Sequence, residues 1–319
     1  MPLKCRVGVL FGEQLTLYSF GPNHPMNSSR ILKFYEIMPR DFILLEPVMA
    51  KEEEITLFHK RDYVEFVKKM SEIGSGYLDY GDTPAFKGVY EASAYVVGST
   101  LRALDSILKG EVDHAFNPMG GLHHARRGSA AGFCVFNDIG VLFEEARRRG
   151  LRKILYIDID AHHGDGVYYE YEDDPEIFIV DLHEDGRFLY PGTGFEWERG
   201  KGKAEGTKLN IPLQPGAGDS EFLAKFEGAR KFMESINPDL VVVQCGGDCL
   251  EGDPITHLRC SSRVHREVIR VAHEISHEKA NGRLIALGGG GYNPEKVARA
   301  WVDVIKEMRS GFNYEFLLM

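Results

Sequence analysis

The segment Asp158-Ile159-Asp160-Ala161-His162 sets two carboxylates and an imidazole at alternate positions directly after the apolar run of LRKILYIDIDAHHGDG. In an extended strand alternate side chains share a face, so Asp158, Asp160 and His162 are expected to project together. Acids crowded at a buried strand end repel one another and lose hydration, and a divalent cation relieves both problems. The plain alternative, solvated acids in a surface turn, sits poorly beside so apolar a run. His123-His124 follow a Gly-Gly turn. Alone, adjacent histidines say little. Beside a metal they are natural acid/base partners, because imidazole titrates near neutral pH and a carboxylate on its far nitrogen fixes tautomer and basicity. Asp158 and Asp165 are available for that supporting part. Asp248 comes after an apolar run and two glycines, a place that suits either a helix N-cap or close approach to a ligand. Gly288–Gly291 then present Tyr292, a single phenol. A phosphate loop there is a weak reading, since no GK[ST] or GxGxxG-helix context is present.

These residues all follow short apolar runs: Val112–Phe116, Lys153–Ile157, Ile177–Val180, Leu240–Val243 and Leu284–Leu287. Unbroken apolar runs of this length suit strands covered on both faces, as in a parallel sheet. Between them Val141–Arg149, Asp219–Ser235, Arg263–Lys279 and Pro294–Met308 read as amphipathic helices. The first has Asn137 and Asp138 as candidate N-caps and stops at Gly150 after a basic last turn. Strand alternating with helix is the α/β pattern, so the expectation is one domain over residues 1–319, an open, mostly parallel sheet flanked by helices. Open sheets of this kind bind ligands beyond the carboxyl ends of their strands. The third run ends in Asp181-Leu182-His183, so five strand ends deliver His, Asp or Tyr to one edge. Earlier in the chain, Val7–Phe11 reads as a strand, Ser29–Met38 and Lys60–Met70 as helices, and Ser71–Lys87 as a loop.

Composition narrows the function classes. Hydrophobic residues are 43% and charged residues 27%, which argues against long disorder. A net charge of −10 makes a poor general nucleic-acid binder, although a cationic peptide would be welcome. Five cysteines form no CxxC pair, which points to a reducing compartment and a cytoplasmic location. The apolar start is too short for a signal-peptide core, and no stretch approaches the ~18 apolar residues of a membrane span.

Taken together the segments resemble the histone deacetylase superfamily on the arginase/deacetylase fold, and within it the bacterial and archaeal acetoin-utilisation-type deacetylases. The resemblance rests on GGLHHARRGSAAGFCVFND (120–138), ILYIDIDAHHGDGV (154–167), LHEDGRFLYPGTG (182–194), GKGKAEGTKLNIPL (200–213), QCGGDCLEGDP (244–254) and LGGGGYNP (287–294), with YSFGPNHPMNSSRI (18–31) nearer the start. They cover most of the chain in the family's order. The resemblance implies a single divalent metal held by Asp160, His162 and Asp248, with zinc first and Fe²⁺, Mn²⁺ or Co²⁺ as competitors for so hard a donor set. It implies active-site histidines at His123 and His124, backed by Asp158 and Asp165, and a transition-state tyrosine at Tyr292. Tunnel walls fall on Gly132, Phe133, Tyr190 and Ile255. Asp82 matches a rim aspartate that holds the substrate backbone, and Arg30 an arginine near an inner acetate cavity. A potassium ion is implied beneath the site, near Asp158, Asp160, His162, Asp181 and Leu182. Tyr190 departs from the phenylalanine of many relatives, and would narrow or polarise the tunnel.

The activity implied is metal-assisted amide hydrolysis that removes acetyl groups from acyl-lysine side chains of proteins, with His124 as the favoured base. Three rivals stand beside it. A deacetylase of small acetylated amines such as acetylpolyamines would use the same residues. A two-metal ureohydrolase of the arginase type would need further bridging ligands. A non-catalytic acyl-ligand binding protein could have lost a ligand or the tyrosine without penalty. The expected partner is therefore an acetylated protein or small amine, with no direct nucleic acid and no membrane. Oligomeric state is not legible.

Overall fold

The apolar runs do form strands, and a computed structural model describing residues 4–311 assembles them into one eight-stranded sheet. Residues 1–3 and 312–319, which the expected domain also spans, lie outside the described residues. The strands are β1 (Val7–Leu10), β2 (Ile43–Leu45), β3 (His114–Asn117), β4 (Ile154–Asp158), β5 (Ile177–Glu184), β6 (Lys208–Leu213), β7 (Leu240–Gln244) and β8 (Leu284–Leu287). Their order across the sheet is β2-β1-β3-β8-β7-β4-β5-β6, and every pair is parallel, so the expected mostly parallel sheet is wholly parallel. The helices are α1 (Ser29–Ile37), α2 (Glu52–Ile55), α3 (Arg61–Ile73), α4 (Val89–Leu108), α5 (Asp138–Arg148), α6 (Asp165–Glu170), α7 (Asp219–Ser235), α8 (Arg263–Lys279) and α9 (Pro294–Met308). No helix among the described residues is long and apolar enough to cross a membrane.

The central strands β3, β8, β7 and β4 are buried along their whole length, which is why their sequences are apolar without alternation. The edges differ. β2 has only three residues, and β6 carries Pro212, a residue that an edge strand tolerates because it need not donate on its outer side. Neither edge strand was expected from the sequence. Helix α4 was missed for a different reason. It is buried around most of its circumference, so it has no clean polar stripe to reveal its period.

Two capped helices fix the loops that matter. Asn137 caps α5 by accepting from Gly140 N at 2.9 Å, which leaves Asp138 in the first turn facing inward. The Asp138 carboxylate accepts Gly121 N at 3.0 Å, Leu122 N at 2.9 Å and Thr100 Oγ1 at 2.6 Å, so it holds the backbone just before His123. Asn293 caps α9 by accepting from Lys296 N at 3.3 Å, with Pro294 in the first turn, and so sets the chain direction immediately after Tyr292.

The strand reading of Asp158, Asp160 and His162 needs correction. Only Asp158 lies in β4, opposite Asp181 of β5 and Gln244 of β7. The chain leaves the sheet beyond it in two successive side-chain turns, with Asp160 N donating to Asp158 Oδ1 and His162 N to Asp160 Oδ1, both at 3.0 Å. Convergence of Asp160 and His162 therefore comes from these turns and not from strand alternation.

Candidate functional site

Five neighbouring strands, β3, β8, β7, β4 and β5, end on one edge, and the loops that follow them meet there. Asp160 and His162 come from the turn after β4, and Asp248 from the turn after β7. The three are buried, and their ligand atoms lie within 4.8 Å of one another. His162 Nδ1 is 3.1 Å from Asp160 Oδ1 and 3.0 Å from Asp248 Oδ2. Each carboxylate has its other oxygen anchored. Asp160 Oδ2 accepts from Gln244 Nε2 at 2.7 Å and Gly290 N at 2.8 Å, and Asp248 Oδ1 accepts from Ala161 N at 2.8 Å.

This donor set fits a divalent cation. Tetrahedral arms of about 2.0–2.2 Å span edges of about 3.3–3.6 Å, only a little longer than the separations present. Electrostatics agree. Burial opposes charge on His162, yet Asp160 and Asp248 outweigh it and raise that imidazole to about 10. Burial and then the nearby Asp160 push Asp248 up to about 7. Two carboxylates here demand positive charge. Gly290 leaves room for it, since a Cβ there would stand 2.5 Å from Asp248 Oδ2 and 2.8 Å from Asp160 Oδ2.

Beside the triad stand two histidine–carboxylate couples. His123 Nδ1 is 2.8 Å from Asp158 Oδ2, His124 Nδ1 is 2.6 Å from Asp165 Oδ1, and the two Nε2 atoms are 3.1 Å apart. Their environments differ. Burial disfavours charge on His123, but Asp158 and Asp160 prevail and raise it to about 10. Burial and the adjacent His123 lower His124 to about 4. Asp165 is also bound by Arg126 at 3.0 Å, whereas Asp158 takes the Tyr156 hydroxyl at 2.6 Å.

His123, His124, Asp160, His162 and Tyr292 share a narrow cavity with Gly132. Its volume of about 10 Å³ holds about one water. Burial, then Asp248 and Asp160, push the Tyr292 phenol well above its ordinary range, so it stays a hydrogen-bond donor. Phe133 meets Tyr292 edge-on with centroids 5.8 Å apart, and Tyr190 meets His124 edge-on at 5.1 Å. Gly132 and Phe133 both have positive φ, 53° and 65°. For a phenylalanine that is a strained conformation, of a kind that clusters at working sites. A Cβ on Gly132 would lie 2.4 Å from His124 Cδ2.

The remaining expected residues lie further out. Arg30 is buried behind the glycine turn, donating to Gly289 O at 2.7 Å and lying over Trp301. Asp82 is half-buried and accepts from Thr83 Oγ1 at 3.0 Å, while His24 joins it to Phe133, bonding Asp82 O at 3.3 Å and stacking edge-on on the ring. Phe133, Tyr190 and Ile255 stand outside the lining of this small inner cavity, Ile255 half-buried beside Asp253. Asp181 accepts Gly164 N at 2.9 Å and pairs with His183 at 2.6 Å, and Leu182 follows it in β5.

Sequence reasoning missed four contributors. Gln244 anchors Asp160, and its signal was a lone amide closing an apolar strand. Asp253 accepts Tyr292 N at 2.8 Å and Ile255 N at 3.0 Å. Tyr156 supports Asp158, and Met26 borders the cavity. Nothing local in the sequence marks Asp253, Tyr156 or Met26.

Comparison with known proteins places the chain in a family. The histone deacetylase domain profile matches residues 24–308. The chain is 38% identical over 314 residues to acetoin utilization protein AcuC of Bacillus subtilis (strain 168), covering 94% of this chain and 81% of that one. Against AcuC of Staphylococcus aureus (strain MSSA476) it is 34% identical over 313 residues, covering 94% and 80%. Among solved structures it is similar to an HDAC homolog from Aquifex aeolicus, with a TM-score of 0.84, 32% identity and coverage of 95% and 84%.

Proposed function

Because the chain belongs to the histone deacetylase family, we propose that this deacetylase acts on acetyl-lysine side chains of proteins. The observation that carries the reading is the meeting of two His–Asp couples, Nε2 to Nε2 at 3.1 Å, on the wall of a cavity that Asp160, His162 and Tyr292 also border. Asp160, His162 and Asp248 would hold one divalent metal, and zinc is our choice over iron or cobalt. When bound, the cation supplies Lewis-acid polarisation of the acyl oxygen and lowers the pKa of water.

The side chains do the rest. His124, oriented by Asp165, accepts the proton of the attacking water. The water oxygen bonds to the acyl carbon while Tyr292 donates to the developing oxyanion. His123, oriented by Asp158, delivers a proton to the departing nitrogen as the C–N bond breaks. Acetate and a free amine result. Phe133 and Tyr190, with Gly132 and Ile255, would flank the methylene chain, Asp82 would accept a substrate backbone N–H, and Arg30 would border the inner acetate end. A potassium ion among Asp158, Asp160, His162, Asp181 and Leu182 would steady carboxylates that sit side by side in register. None of the five cysteines forms a disulfide, which supports a cytoplasmic setting.

The test is acetate release from an acetyl-lysine peptide by metal-loaded protein, beside Asp160→Ala. Turnover lost with both chelator and substitution supports the reading. Turnover only on acetylated polyamines moves the substrate to small amines. Acyl-ligand binding without turnover on either, with Zn²⁺, Fe²⁺ or Co²⁺, overturns it in favour of a binding protein.

A further inference from the structure

At the amino-terminal edge of the sheet, opposite the catalytic loops, four donor side chains from three places in the chain converge. Cys5 precedes β1, His114 opens β3, and His273 and His277 stand four residues apart on α8. β1 and β3 are neighbours with Val7 opposite His114, which brings the first two together, and i,i+4 spacing puts the other two on one helix face. His277 Nε2 is 3.1 Å from His273 Nε2, 3.2 Å from His114 Nε2 and 3.5 Å from Cys5 Sγ. Cys5 Sγ is also 3.5 Å from His273 Nε2, and all four donor atoms lie within 4.8 Å of one another. The three imidazole planes are nearly perpendicular, at 78°, 88° and 79°, so each ring approaches from its own direction.

These separations match the edges of a tetrahedral metal site. Arms of about 2.0–2.1 Å to nitrogen and 2.3 Å to sulfur give edges of about 3.3 Å between nitrogens and about 3.6 Å from nitrogen to sulfur. Cys5, His114 and His273 are buried and His277 half-buried.

Residues 273–277 read His-Glu-Ile-Ser-His, the spacing of helical zinc sites in which the glutamate is a general base. Here Glu274 is turned to other partners, 2.6 Å from Arg270 Nη1 and 3.2 Å from Arg230 Nη2. Four protein donors with no base among them make a closed, structural site, unlike an open catalytic one. One thiolate and three imidazoles are borderline-soft donors that select zinc over magnesium or calcium.

We propose that Cys5, His114, His273 and His277 bind a second divalent cation, Zn²⁺, which pins α8 to the amino ends of β1 and β3. The inference is independent of the substrate reading above, because it concerns another edge of the sheet. The test is metal content and the optical spectrum of the whole chain loaded with Co²⁺. Wild type is expected to bind about two ions per chain. It should show intense tetrahedral d–d bands with a near-ultraviolet thiolate-to-cobalt charge-transfer band. Cys5→Ser should lose that band, and His277→Gln, at the half-buried position, should lose about one ion per chain. Asp160→Ala should lose the other ion and keep the band. Deacetylation by Cys5→Ser should stay within about twofold of wild type while its melting temperature falls. A wild-type protein with no thiolate band, or a band that survives Cys5→Ser, overturns the proposal without needing any variant of α8 to fold.

Discussion

At the residue scale the site works by division of labour within single side chains. Asp160 and Asp248 each present one oxygen to His162 while backbone or amide N–H groups hold the other. Gln244→Leu removes the 2.7 Å amide donor to Asp160. It should weaken metal affinity by about 10–100-fold, read by competition with a chromophoric chelator. Tyr292→Phe removes the proposed oxyanion donor and should lower kcat by about 10²–10³ with little change in KM. Asp82 gives a pH signature. Burial, then the neighbouring Asp79, raise its carboxyl to about 6, with Thr83 bonded to it, while burial lowers the neighbouring His24 imidazole from its ordinary value. In the proposed reading Asp82 is ionised above that pH and would accept a substrate N–H; below it the carboxyl is protonated and the grip would weaken. The ratio of kcat/KM for a peptide over that for a small acetylated amine should therefore fall as pH drops through about 6. Asp82→Asn should flatten that ratio. His123, His124 and Asp160 were legible because histidines and acids are rare at the ends of apolar runs. Asp253 was not, because its task of holding Tyr292 N is defined only by folding.

At the element scale, what the sequence showed and hid follows burial. Strands β7 and β8 and helices α7, α8 and α9 have clean patterns because one environment surrounds each face, and their expected spans agree with those found to within a residue. Helix α4 hides in plain apolar sequence. Gly98, in its middle, shows what a buried helix requires. A Cβ there would lie 2.1 Å from Val48 O and 2.4 Å from Ala50 N, a backbone clash that no rotamer relieves. Gly→Ala in a helix ordinarily gains about 1 kcal/mol. Overpacking against backbone costs about 1–3 kcal/mol or more, so Gly98→Ala should lower the melting temperature despite its better propensity. A melt no lower than wild type would mean that the 48–50 segment moves aside without cost.

At the scale of the whole molecule, the sheet order β3-β8-β7-β4 places the last two strands of the chain at the middle of the sheet. Such non-local pairing is what one-dimensional patterns cannot convey, and the order was the least legible feature in the sequence. A chain ended before Leu284 lacks β8 and α9, so β3 and β7 lose the strand between them. It should show no cooperative unfolding transition by circular dichroism, even though most of its residues remain.

The same order has a consequence for how the protein is made. As the chain leaves the ribosome, β3 and β4 emerge long before β7 and β8 are available to join them. Two inner strands therefore wait as exposed edges, the kind of surface on which nascent chains aggregate or recruit chaperones. Asp248 and Tyr292 arrive with the closing strands. The half-synthesised protein thus carries its histidines and Asp160 without the partners that would let it hold metal tightly, and activity begins only when the middle of the sheet is filled.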